Sequence, residues 1–503
     1  MAGGRLDFEF QFTKPGDSRP RPSDDRPMRI LVLADLHGNG QRDVPLALRK
    51  PLAIHVDNAE QVLARLAPRL SLSIETPGEA VEPIALEFRQ IDDFHPDSLF
   101  RQAEAFVGLR GLREELTSPA TFARAAAALG LPPADGSAAD ANPAASPAES
   151  NADMIERLLG RAPSQPSTRN PDLVDKLLHE AVAPHVVPDH SAAQAQAITV
   201  LDMLIADRMR RILRQPAFQH LEAAWRGVWK LATELETGAA LQISLLDISQ
   251  EELAADLQSH AGDLSASALH RVLNGPDTEA DEETPWSLLV GDFTFGPDDA
   301  AMLAALGALA GRAGAPFLAG ASPALAGYAD LQEPGSPAQW PPLPGEAGAT
   351  WQALRQSPLA AWIGLALPRL LARLPYGAAT DPVESFAFEE MAGDRRHEHY
   401  LWGNPAYALA FLAGQAFSEE GWEMDVAARL MIEDLPSHVY RDEDGEPKQQ
   451  ACAEVWLSEA VAEAILDRGV MPILSYRNRN AARLLRWQSV AMPPKALAGI
   501  MAG

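Results

Sequence analysis

Residues 198–235 read ITVLDMLIADRMRRILRQPAFQHLEAAWRGVWKLATEL. In the first half, Leu201, Leu204, Ile205, Met209, Ile212 and Leu213 recur at three- and four-residue spacing, which places them on one helical stripe. Arg208, Arg210, Arg211 and Arg214 fall mainly beside or opposite it. Pro216 interrupts the pattern, because it lacks an N–H and its ring clashes with the preceding turn. Phe218, Leu221, Trp225, Val228, Leu231 and Leu235 then form a second stripe. The stretch therefore predicts a buried helical hairpin, and the rest of the chain must supply what packs around it.

A chain of 503 residues can hold more than one core. Its 47% hydrophobic and 22% charged residues fit a globular protein. A formal net charge of −27 argues against a general nucleic-acid binder and against docking on anionic lipid. Cys452 is the single cysteine, so the chain forms no internal disulfide and no cysteine-built zinc site; a buried or half-buried structural residue is expected there. MAGGRLDFEF has no basic segment followed by an apolar run, so no signal peptide is expected and the cytoplasm is the expected compartment. The apolar stretches near 302–326 and 359–374 are interrupted by Arg312, Arg369 and Arg373 and read as core, not as membrane spans.

From the N-terminus, Leu6, Phe8, Phe10 and Phe12 alternate with polar residues, the period of a half-buried strand. The Pro-, Asp- and Arg-rich segment 13–27 tethers it loosely, so the strand adds to a sheet edge of its own domain or of a neighbour. Residues 29–35, RILVLAD, predict a buried strand. Residues 58–66 predict a short helix capped by Asp57 or Asn58. A strand pair is expected at 70–74 and 84–88, and a helical region at 94–116. Together these predict a small α/β domain over 1–128.

Residues 129–171, rich in Pro, Ala and Ser, read as a flexible linker. Within it, Met154, Ile155, Leu158 and Leu159 put an apolar stripe on a short helix that either folds back on the core or docks in a partner's groove. The remainder, 172–503, continues after the hairpin with a strand at 241–247. A β-α-β unit follows, with strand 286–290, helix 300–313 and strand 316–320. Residues 328–349 are expected as loop, and 351–376 as mostly helical. The overall expectation is a multi-domain, mixed α+β protein.

The wording of the motifs is more specific than their periodicity. R-x-L-x-x-P-x-F-Q-x-L-E-x-x-W-R-G at 211–227 resembles the large subunit of the type VI secretion contractile sheath. So do GDFTF at 291–295, AGAPFLAGASP at 313–323, YLWGNPAYALA at 400–410, DLPSHVY at 434–440 and GVMPILSYRNRN at 469–480. ILVLADLHG at 30–38, LAPRLSL at 66–72 and F-x-x-I-D-D-F-H-P at 88–96 resemble the small subunit of the same sheath. The resemblance implies small- and large-subunit-like regions fused through one linker, in a contractile tail-sheath-like fold. Phe218, Leu221, Trp225, Arg226, Trp402 and Asn404 are then core motif residues.

It also implies a mechanical subunit and not an enzyme, without cofactor or metal. Its partners would be other sheath subunits or itself, an inner tube protein, a baseplate, and an AAA+ ATPase that recycles contracted sheath by gripping Met154–Leu159. Leu6–Phe12 would be the strand that links neighbours. Large subunits extend past the position matched by Gly503, so a tube-facing portion is expected to be missing. An accessory sheath-binding protein that cannot polymerise alone is the alternative.

Three other patterns invite chemistry. Asp35, His37 and Asn39 follow a strand, as the first metal ligands of metallophosphoesterases do, but the later Asn-His pair of such enzymes is absent. His397 and His399 lack the H-E-x-x-H spacing, and 393–399 reads as a solvated loop. The acidic run 277–283 reads the same way. Arg369 and Arg373 stand among apolar residues, where they either pair with buried carboxylates or reach a neighbouring subunit.

Overall fold

The computed structural model describes residues 26–38, 42, 44–74, 82–118, 120–129, 191–274, 285–328, 335–392, 395–442 and 444–501. Leu6–Phe12, Asn39, Met154–Leu159 and the acidic run 277–283 lie outside them. The chain divides into two units, one of residues 1–106 with 206–503 and one of residues 107–205.

The strands are β1 (Met28–Ala34), β2 (Leu52–Ile54), β3 (Arg69–Ile74), β4 (Glu82–Glu87), β5 (Leu241–Asp247), β6 (Leu288–Phe295), β7 (Phe317–Ala321), β8 (Ile363–Leu367), β9 (Leu370–Leu371), β10 (Trp402–Gly403), β11 (Met431–Ile432), β12 (Val439–Arg441), β13 (Pro447–Gln449), β14 (Met471–Ser475) and β15 (Ala482–Leu484). The helices are α1 (Ala59–Leu66), α2 (Pro96–Gln102), α3 (Val107–Thr117), α4 (Phe122–Ala128), α5 (Ser191–Leu213), α6 (Pro216–Glu234), α7 (Gln250–Ser259), α8 (Ala268–Asn274), α9 (Ala300–Ala313), α10 (Gly345–Gln356), α11 (Pro405–Glu420) and α12 (Glu459–Asp467).

The larger unit is built on a nine-stranded sheet in the order β11-β15-β14-β8-β7-β6-β1-β5-β2. Its six central strands, β14 to β5, are parallel, and antiparallel strands close both ends. Such central strands are covered on both faces, which is why RILVLA, LLV and IGLAL are nearly continuous in apolar residues. β1 pairs with β5 along its whole length, from Met28↔Leu241 to Ala34↔Asp247. Its other edge pairs with β6 from Ile30↔Leu288 to Leu33↔Gly291. The N-terminal region thus supplies an interior strand of the large sheet. α9 lies close against the sheet's neighbours, since a Cβ at Gly307 would stand 2.9 Å from the Leu359 carbonyl oxygen.

The expected helix at 351–376 is corrected. α10 ends at Gln356, and Ile363–Leu367 is the buried strand β8 between β7 and β14. A strand buried on both faces has no period-two alternation to distinguish it from a helix. The hairpin forms as expected in α5 and α6, with Pro216 at the N-terminus of α6, where its missing N–H has no helical acceptor. Of the two stripes only Leu204 is exposed (51%); the other residues are buried.

In the smaller unit Leu116, Phe122, Ala125 and Ala126 are buried. Arg113 Nε donates to Asp202 Oδ1 at 2.9 Å, and Gln194 Nε2 donates to the Leu116 carbonyl at 2.6 Å. Among the described residues no helix is long and apolar enough to cross a membrane.

Candidate functional site

The two sets of motifs meet on α6. Phe88 and Phe94 stack with ring centroids 4.2 Å apart, and each meets Phe218 in a T-shaped contact at about 6 Å. The intervening I-D-D-F turn is closed by Asp93, whose Oδ2 accepts from the Arg89 and Gln90 backbone N–H groups at 2.7 and 3.1 Å. His95 Nδ1 then caps α2 by accepting from the Asp97 N–H. Asp97 holds a distant loop by accepting from the backbone N–H groups of Glu384 and Ser385 at 3.0 and 2.8 Å. Burial would raise its carboxyl, but the bonds from Ser385 and Glu384 outweigh that and hold it below the ordinary value.

Beneath the aromatic contact lies a buried ionic network. Glu222, one turn after Phe218, is fully buried. Its Oε1 accepts from Arg226 Nε at 2.8 Å and from Arg373 Nε at 2.7 Å. Arg373 turns its other edge to Glu390, with Nη1 donating to Oε2 at 2.7 Å and Nη2 to Oε1 at 3.2 Å. Tyr376 joins through its N–H to Glu390 at 2.8 Å and receives a bond from Arg226 on its phenol oxygen at 2.9 Å. The Arg373 guanidinium lies 3.9 Å from the Tyr376 ring centroid. Two carboxylates face two guanidiniums, so the cluster is neutral. Burial pushes the Glu222 carboxyl up, yet Arg373 and Arg226 overcome it and keep the group ionised.

The remaining motif residues are positioning devices of the same kind. Trp225 Nε1 donates to the Leu36 carbonyl just past β1 at 3.0 Å. Gly227 leaves room for Tyr407, whose ring would stand 2.4 Å from a Cβ there. Trp402 Nε1 donates to the His397 carbonyl at 2.9 Å. Asn404 caps α11 by accepting from the Ala406 N–H, and its amide donates to the Phe293 carbonyl on β6 at 2.9 Å. Leu221 packs in the core beside Gly38, which takes a φ of +76°.

For the arginines, pairing with buried carboxylates is the reading the structure carries. Arg373 serves Glu222 and Glu390, and Arg369 serves Glu454. Glu454 also accepts from His397 Nε2 at 2.8 Å and from the Arg369 N–H at 3.0 Å. Burial raises this carboxyl, but the bonds from His397 and Arg369 bring it down to about 2. His397 and His399 are therefore not in the solvated loop expected for 393–399: His399 is buried against Arg396, and His397 is bonded to Glu454.

Asp35 accepts from the Gly38 N–H at 3.1 Å and pairs with Arg42, which also bonds Asp247. Among the described residues no three His, Cys, Asp or Glu side chains are grouped to hold a metal. Cys452 is buried, and burial pushes its thiol up. Sequence reasoning did not single out Glu222, Glu390, Glu454 or Asp97. Glu222 stands inside the quoted motif, and a lone acid on an apolar helical face was the available signal.

Comparison with known proteins separates the same two regions. Residues 195–491 match the VipB family profile, described as "EvpB/VC_A0108, tail sheath N-terminal domain". Residues 15–125 match the VipA profile of the type VI secretion system, described as "VipA, VC_A0107 or Hcp2". The chain is similar to the type VI secretion system sheath protein TssC1 of Pseudomonas aeruginosa, with 33% identity over 305 residues, 59% of this chain and 61% of that protein. It therefore spans about 61% of the length of this curated relative.

Proposed function

The chain belongs to the VipB-type tail-sheath family, with a VipA-like region joined in front, and from that premise we propose that it is a structural subunit of a type VI contractile sheath. The single observation that carries this reading is that both family matches fall on one chain whose motif residues interlock, through Phe88, Phe94 and Phe218, within a single unit. A subunit that transmits force needs elements that move as one body, and the buried ionic network supplies directional, costly-to-break contacts for that purpose. Contraction then draws on differential contacts between two packings of identical subunits.

On this reading the protein works in the cytoplasm around an inner tube, on a baseplate. Leu6, Phe8, Phe10 and Phe12 add a strand to a neighbouring copy, and the ends of the large sheet, β2 and β11, are edges that accept strands. Met154, Ile155, Leu158 and Leu159 are the segment that a recycling AAA+ ATPase grips.

Negative-stain electron microscopy of the purified full chain, alone and with a candidate tube protein, tests the reading. Tubes or cogwheel-like rings are expected, and they are lost in the Phe8→Asp plus Phe10→Asp double variant while its circular dichroism is unchanged. Isolated particles in every wild-type sample would overturn the subunit reading in favour of an accessory sheath-binding protein.

A further inference from the structure

A groove of about 240 Å³ runs along α6, within the larger unit. Gly227, Ala372 and Ala408 hollow it out, and Trp229, Leu371 and Leu435 give it apolar walls. Both basic residues in its wall are already matched: Arg226 Nε donates to Glu222 at 2.8 Å, and Lys230 Nζ donates to Glu234 at 2.6 Å. The groove therefore favours an apolar occupant over an anion. An apolar cavity of about 150 Å³ accepts a benzene, so this one takes one phenyl ring whole and part of a second.

The N-terminal arm leaves the described structure at Arg26, whose carbonyl accepts from Trp422 Nε1 at 2.6 Å. Trp422 follows the last turn of α11, and Ala408, near the first turn of that helix, lines the groove. Helical rise puts these two residues about 21 Å apart. α6 and α11 run side by side in the same direction, because Gly227 packs on Tyr407 and Gly414 on Leu235. The Glu234 end of the groove thus faces toward the exit point. The Pro-rich stretch from Phe10 to Arg26 spans about 50 Å when extended, more than the path requires. A tether of that kind holds its tip near the groove at roughly millimolar effective concentration, which another copy in dilute solution does not match. The tip carries Leu6, Phe8, Phe10 and Phe12 at period two, with neighbouring rings about 7 Å apart on one face.

We propose that this groove is the seat of the chain's own N-terminal segment, Leu6–Phe12, with Phe8 and Phe10 as its anchors. A free subunit then carries the segment latched on itself and releases it when the sheet edge of a neighbour binds it more tightly. That consequence rests on the reading of Leu6–Phe12 as a linking strand; the docking itself does not.

The test is photocrosslinking in the full chain, with benzoylphenylalanine in place of Phe10 and mass spectrometry of the linked peptides. A dilute mixture of isotope-labelled and unlabelled chains separates links within a chain from links between chains. Links within one chain to the lining stretches 223–234, 370–372, 403–408 or 432–436 are expected. Their yield should fall roughly tenfold in Phe8→Asp, which removes an anchor, and in Ala372→Trp, which fills the groove. Phe8→Asp decides alone if Ala372→Trp fails to fold. Links confined to other elements, links only between chains, or an undiminished yield in Phe8→Asp would overturn the proposal. Tube formation under the electron microscope is a separate outcome. Tubes without groove links overturn the latch and leave the sheath reading standing, and groove links without tubes do the reverse.

Discussion

Glu222 and Asp292 are both buried carboxyls within the same unit, and their surroundings push them in opposite directions. Glu222 accepts from two guanidiniums and is kept ionised below its ordinary range. Asp292 is pushed up by burial, which His220 and the hydrogen bonds from Tyr407 and Asn404 do not outweigh. Depth of burial is therefore a poor guide to what a carboxyl does; the donors around it decide. Where guanidiniums surround it, the group stays ionised and holds elements together, and where neutral donors and an imidazole do, burial prevails.

The largest effect that sharpens this contrast is expected from Glu222→Gln. It leaves Arg226 and Arg373 facing one carboxylate instead of two, and breaking such a buried pair costs about 4 kcal/mol. The midpoint of chemical denaturation reads it, and a loss below about 1 kcal/mol would mean that the network does not hold the fold. Phe94→Ala removes the ring stacked on Phe88 and packed on Phe218, at a cost of about 3 kcal/mol. The same midpoint measures it.

A pH dependence comes next. The Glu454 carboxyl is held at about 2 in the folded chain, against roughly 4.3 in an unfolded one. Its contribution is fully present above the unfolded value and is lost as pH falls toward the folded one, on the order of 3 kcal/mol in total. The wild-type chain should lose stability more steeply between pH 5 and pH 3 than Glu454→Gln does, as read by thermal unfolding across that range.

The smallest effect belongs to the other side of the contrast. Asp292→Asn keeps an acceptor oxygen for the Tyr407 hydroxyl and removes a carboxyl that burial disfavours, so stability should change by no more than about 1 kcal/mol. A large loss there would erase the distinction between the two carboxyls.

Much of this arrangement is legible in the sequence. The stripes of 198–235 announce the hairpin, and strict alternation or unbroken apolar runs mark β1, β5 and β7. The motif residues Phe218, Trp225 and Asn404 stand inside the family-like motifs, each fixing a helix to its surroundings. Two kinds of information are not local. β8 hides in an apolar run because a strand buried on both faces shows no alternation. The partners of Glu222 are 4 and 151 positions away, and only the nearer of them is visible as a helical i,i+4 pair. Nor does any window reveal that β1 lies between β5 and β6.

That last placement is the central claim, because it joins residues 28–34 of the small-subunit-like region to strands of the large-subunit-like region in one sheet. Native-state hydrogen exchange on the full chain tests it most directly. The amides of Met28–Ala34 should exchange with the same opening free energy as those of Leu241–Asp247 and Leu288–Gly291, near the global value. Exchange of Met28–Ala34 through a separate, lower-energy opening, while β5 and β6 stay protected, would contradict it.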